Sequence, residues 1–280
     1  MGELELVVER CAGIDVHQAQ LRVCVRRRGE GRRRSRVEEF ATFGTTTPDL
    51  LELSEWLSQR GVTHVAMEGT GVYWKPVSVL EASFDMWLVN AQHVKNVPGR
   101  KTDTSDAAWL CRLLEHGLLR KSFVPPPEIR ELRDLTRYRK AVIRERASEV
   151  NRLHKVLEDA GVKLATIAAD IMGVSGRAML AALVAGTSDP QVLAELAKTR
   201  LRSRLPELRK ALDAKFREHH GFLVSQILAH VDYLDDAIAQ VDERINGALE
   251  SSQSAMTVLL SIPGVQRRTT EVVIAEIAPT

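Results

Sequence analysis

A mixed α/β domain followed by a helical, coiled-coil region is what this sequence predicts, and three observations carry the prediction. Residues 11–120 alternate short, strand-like apolar runs with stretches of helical period. The run Pro125-Pro126-Pro127 interrupts that pattern, and beyond it apolar residues recur at helical spacing. The chain has 280 residues, 44% hydrophobic and 27% charged, enough for two cores, while an aromatic content of 5% argues against a β-sandwich in its later part.

The elements follow in order. Cys11 to Val16 is a short apolar strand, and Leu21 to Val25 is a second that runs into arginines. Beyond a Gly29-Glu30-Gly31 turn, Arg36 to Phe40 is a third, completing an antiparallel meander. Thr47-Pro48 offers a helix N-cap with proline at the first helical position, and Gly61 stops that helix. Val62 to Met67 reads as a strand, about Trp74 to Ser83 as a helix, and Met86 to Val89 as a fifth strand. A last helix runs from about Thr104 to His116 and ends at Gly117. The order βββαβαβα is that of an RNase H/RuvC-like topology, although several α+β folds begin the same way.

The triple proline fits neither a helix interior nor a central strand, so it reads as a stiff connector. From Glu128 to about Ala160 apolar residues recur at 129, 132, 135, 142, 143, 150, 153 and 157. Residues 161–220 look like shorter helices. Val224, Ile227, Val231, Leu234, Ile238, Val241, Ile245 and Ala248 then alternate steps of three and four, a coiled-coil seam. Its partner is either the 128–160 helix or another chain. Ser261-Ile262-Pro263-Gly264-Val265 breaks the pattern and Glu271 to Ile277 resumes it, so the last helix is expected to stop without a packed partner, as if the chain were cut short. The parts are therefore 1–124, 128–250 and 256–280.

Asp15 is the residue hardest to explain by structure alone, because an isolated carboxylate in an apolar strand is costly unless paired or metal-bound. Glu68 ends the fourth strand before Gly69-Thr70-Gly71. Asp103 and Asp106 are spaced i, i+3, which would place both on one face of a helix's first turn. Each of those two also has a plain reading, as an N-cap and as a favourable first-turn acid. With the first strand central and the fourth beside it, the four acids converge on one end of the sheet. Convergent carboxylates suit a hard cation, Mg²⁺ or Mn²⁺, and two such ions assist in-line phosphoryl transfer.

Gly13-Ile14-Asp15-Val16, the run from Glu68 to Trp74 and the run from Pro98 to Ala107 resemble the successive motifs of the DEDD-type insertion-sequence transposases. Ile262-Pro263-Gly264-Val265 is similar to the motif opening that family's second domain. The resemblance implies a RuvC-like domain whose catalytic and metal-binding acids are Asp15, Glu68, Asp103 and Asp106. It also implies DNA as substrate, a structured guide RNA as partner and strand exchange by a serine beyond the residues present here. Ser251, Ser252, Ser254 and Ser261 precede the matching motif and are not that nucleophile.

Net charge is only +2, but eight arginines against one acid lie between Arg22 and Arg36. Arg26, Arg27, Arg28, Arg32, Arg33 and Arg34, with Lys95, Arg100 and Lys101 near the acids, are the expected nucleic-acid contacts; a solvated hairpin tip is the bland alternative. Tyr73 and Trp74 read as helix-start packing before base stacking. His17 reads as an ordinary strand-end histidine, and His93, His219 and His220 lack ligand partners at useful spacing. Three cysteines at no metal spacing, no signal peptide and no apolar run of about 18 residues predict a cytoplasmic protein with no membrane contact. The functional expectation is a metal-dependent DNA transposase or recombinase acting as a homo-oligomer. Competing readings are a RuvC-like structure-selective nuclease and a non-catalytic nucleic-acid-binding oligomer.

Overall fold

The computed structural model describes residues 5–29, 36–69, 71–97 and 105–277. They fall into two units, Met1–Val124 and Pro125–Thr280.

The first unit contains β1 (Cys11–Val16), β2 (Leu21–Arg28), β3 (Arg36–Phe43), α1 (Thr47–Gln59) and β4 (His64–Glu68). These are followed by α2 (Trp74–Val77), a 3₁₀ turn at Ser78–Ala82, β5 (Asp85–Val89), α3 (Ala91–Lys95) and α4 (Asp106–Glu115). The sheet order is β3-β2-β1-β4-β5. The β1–β2 and β2–β3 pairs are antiparallel, whereas β1–β4 and β4–β5 are parallel. This mixed sheet with β1 at its centre is the RNase H-like topology that the sequence predicts.

Alternation along β1 explains its central place. Ala12 and Ile14 enter a core with Val65, Met67, Leu50, Leu53 and Leu57, the last three from α1. Cys11 faces the other way, into a core with Cys24, Ala66 and α4. A strand buried on both faces reads as an unbroken apolar run, which is why Cys11–Ile14 does. Gly13 sits where α4 crosses most closely: a Cβ there would lie 2.6 Å from the Cys111 nitrogen and closer still to the Ala107 carbonyl oxygen. Two boundaries differ from expectation. Thr46, not Thr47, is the N-cap of α1, with the Asp49 Oδ2 accepting the Thr46 N–H at 3.0 Å. The expected 74–83 helix is a single turn of α2 that tightens to 3₁₀.

The second unit is helical: α5 (Pro127–Asp159), α6 (Leu164–Ile167), α7 (Val174–Val184), α8 (Pro190–Glu195), α9 (Leu205–Leu212), α10 (Glu218–Ala248), α11 (Gln253–Leu260) and α12 (Arg267–Ile277), with 3₁₀ turns at Thr199–Arg204 and Glu250–Ser252. Proline serves α5 as N-cap (Pro126) and first helical residue (Pro127), where a missing N–H costs nothing. The heptad seam on α10 is filled by α5, running antiparallel. Leu153 and Leu157 meet Val224, Ile227 and Val231; Val142 meets Leu234 and Ile238; Leu132 meets Ile245 and Leu249. Ala248, the last expected seam residue, is exposed, and Leu249 takes its place. Helix α12 is not unpartnered: Ile274 and Ala275 pack beside Leu132, and the Arg133 guanidinium donates to the Ala275 and Glu276 carbonyls at 3.0 Å each. Those carbonyls are the ones a helix end leaves open. No helix among the described residues is long and apolar enough to cross a membrane.

Candidate active site

The end of β1 supplies the first acid. Asp15 shares the α4-facing side of the sheet with Cys11 and Gly13, its side chain is 24% exposed, and its Oδ2 lies 3.1 Å from His17 Nε2. Glu68 ends β4 one step beyond the Ile14–Met67 pair and on the same face as Ala66, so it belongs beside Asp15 at the parallel-strand ends. Ser105 caps α4 by accepting the Ala108 N–H at 3.3 Å, which makes Asp106 the first helical residue. The tight crossing at Gly13 brings that helix start over β1. Asp15 and Asp106 consequently line one cleft of about 670 Å³ with Arg22, Glu38, Ser105 and Arg112.

Convergence is partial. Glu68 does not line this cleft, and the three described acids do not close to a set of oxygens within 4.8 Å of one another. Asp103 lies outside the described residues, as do Arg32, Arg33, Arg34, Arg100 and Lys101. An all-oxygen donor set of spaced carboxylates fits Mg²⁺ or Mn²⁺, which retain several waters and take few protein ligands. Among the described residues the tight cluster is instead Asp159, His219 and His220 in the helical unit. There His220 Nδ1 accepts the Arg217 N–H at 3.1 Å and Nε2 contacts Asp159 Oδ2 at 3.0 Å. A neutral ring whose lone pair takes a backbone N–H must donate its other N–H to the carboxylate, leaving nothing for a cation. His220 therefore keeps no lone pair for a cation, and its hydrogen bond to Asp159 ties α10 to α5.

The arginine run divides by strand alternation. Arg26 is 12% exposed and donates to Glu115, itself 1% exposed, at 2.9 Å; it also pairs with its cross-strand neighbour Glu38. Arg36 pairs with Glu115 as well. Burial alone would lower the Arg26 pKa, but the charges of Glu115 and Glu38 outweigh it and hold the guanidinium more basic than usual. Arg26 is therefore a half-buried member of an ion-pair cluster. Arg27 pairs with Glu39 at 2.8 Å, and Glu39, bonded to Arg27 and Arg60, is held below the ordinary carboxylate range. Arg28 and Lys95 are exposed and make no ion pair among the described residues. Arg22 was in the run but was not expected at the site. It is exposed, stands opposite Asp15 in register, and lines the cleft without an ion-pair partner among the described residues. Its period-two alignment with Cys24 and Arg26 was the signal for that placement.

A sheet of this topology carrying acids at the ends of its first and fourth strands defines a ribonuclease-H-like nucleic-acid enzyme class. Residues 12–162 match the model of the DEDD transposase family designated IS110, described as a transposase. This chain belongs to that family, and its activity class is the cutting and joining of nucleic acid. Among solved structures, RuvC of Thermus thermophilus is similar at 14% identity, with 40% of this chain and 99% of that one covered and a TM-score of 0.30. None of the curated proteins compared matches the chain.

Proposed function

We propose that the cleft lined by Asp15 and Asp106, with Glu68 at the neighbouring strand end, cuts DNA strands by divalent-metal-assisted phosphoryl transfer during transposition, with Asp103 as the fourth acid. The observation that carries this reading is that Asp15, a carboxylate in a central strand, and Asp106 line one cleft together with Arg22, a cation without an ion-pair partner among the described residues. Asp15, Glu68 and Asp106 would hold Mg²⁺ or Mn²⁺, which when bound supplies charge stabilisation to the attacking and leaving oxygens. The chain's own groups do the rest. Arg22 offers its guanidinium fork to a phosphate oxygen on the cleft wall. Arg112 is held to Glu38 at 3.1 Å and shapes that wall. His17, with Nε2 protonated, donates to Asp15 and fixes the carboxylate's orientation.

A guide RNA partner and a second copy of the chain belong to this reading through the family resemblance. A cytoplasmic location fits the three free, buried cysteines. The test is cleavage of element-end DNA with Mg²⁺, with and without element RNA. Asp15→Ala should lose more than about 100-fold in rate, beyond the loss typical of a ligand's outer partner. Cleavage by Asp15→Ala at the wild-type rate sinks the proposal.

A further inference from the structure

A second concentration of positive charge lies in the helical unit. Residues 198–217 carry eight Lys/Arg against two acids, an excess larger than the chain's net charge of +2, so the remainder of the chain is net acidic. All eight are exposed. Arg202 and Arg209 share Glu195, and Arg204 pairs with Glu207. Lys198, Arg200, Lys210, Lys215 and Arg217 have no ion-pair partner among the described residues.

The fold concentrates part of this charge. Lys198, Arg200 and Arg204 line a cleft of about 590 Å³ beside the start of α7. The Lys198 N–H is anchored on Ser175 Oγ at 2.9 Å, and Arg204 donates to the Ile167 carbonyl at 2.8 Å. Thr199, between Lys198 and Arg200, has φ +50°, a left-handed conformation unusual for a β-branched residue. Asp170 also lines the cleft, and its Oδ1 already accepts the Met172 N–H at 2.8 Å. Lys198 and Arg200, without ion-pair partners among the described residues, share that cleft with Arg204; like charges so placed repel one another, and a run of phosphates relieves that repulsion with release of counterions.

We infer that the basic 198–217 segment of the helical unit, centred on the cleft at Lys198 and Arg200, is a second DNA-binding surface, gripping the duplex phosphate backbone without reading sequence. The inference rests on the reading of this chain as a DNA-acting protein, but its test needs no cutting. The full chain is titrated with a labelled 30-base-pair DNA duplex in EDTA, by fluorescence anisotropy, across a series of salt concentrations. Lys198→Gln/Arg200→Gln/Lys210→Gln should flatten the slope of log affinity against log salt by about 2.7, at about 0.9 per phosphate contact. Affinity at low salt should fall about tenfold or more, equally for unrelated sequences. The charge-preserving Lys198→Arg/Arg200→Lys/Lys210→Arg should keep the wild-type slope, and Lys210→Gln alone should flatten it by about 0.9. A wild-type slope in both neutralised variants overturns the inference, as does a loss confined to an RNA duplex of the same length. Because no metal is present, failure of the cutting site leaves these readings unchanged.

Discussion

The two units bury charge in opposite senses. The sheet unit encloses an acid, Glu115, between Arg26 and Arg36, whereas the helical unit encloses a base, Arg139, between Asp242 and Glu271 at 2.6 Å each. Burial alone would make Arg139 less basic, but bonds to Asp242 and Glu271 outweigh it and raise its pKa. In the helical unit the cluster joins α5, α10 and α12, so it orients three helices. In the sheet unit the cluster joins β2, β3 and α4, and it takes Arg26 and Arg36 out of the arginine run while Arg22 stays open to the cleft. Charge count alone therefore says little about a nucleic-acid surface; what decides is which guanidiniums already have a partner.

The comparison is broken most directly at Glu115. Glu115→Ala leaves two partly buried guanidiniums short of an acid and should cost about 3–5 kcal/mol in urea unfolding. At the mirror position, Arg139→Met alone should cost about 3 kcal/mol, but Arg139→Met with Glu271→Leu should return to within about 1 kcal/mol of wild type, since apolar packing can replace a buried pair. If the double variant is no better than the single one, the helical cluster does more than fill space. Gly13→Ala forces α4 off β1 and should cost about 1–3 kcal/mol; DNA cleavage should fall further than stability does, because the same contact places Asp106 over Asp15.

The smallest effect concerns the thiols. Burial, reinforced by Cys11 and Cys24, pushes the Cys111 thiol well above its ordinary value. The folded pKa is raised, so the stabilisation is fully present below the unfolded thiol's pKa and is lost as pH rises above it. Urea midpoints should therefore decline from about pH 9 upward, near the range where free thiols ionise, and Cys111→Ala should remove part of that decline.

Strand order and the place of Asp15 were legible because burial on both faces writes an apolar run, and a charge inside it stands out. The α10 seam was legible to one residue, but a heptad carries no address for its partner, and only the antiparallel meeting with α5 supplied it. The partner of Arg26 was not legible, because Glu115 is 89 residues away and sits at the end of an otherwise apolar helix pattern. The Ser105 cap of α4 is masked in the sequence by the acids around it. His17 stands two residues beyond a strand carboxylate, a spacing that puts it on the same side of the strand.

Both units hold a group of side chains with metal-binding chemistry, and the proposed cation belongs to the looser one. Mn²⁺ binding to the full chain, followed by electron paramagnetic resonance, tests that assignment directly. Asp15→Asn should weaken Mn²⁺ binding strongly, while Asp159→Asn leaves it at the wild-type level. Binding that survives Asp15→Asn and disappears with Asp159→Asn would contradict the account and move the metal to the helical unit.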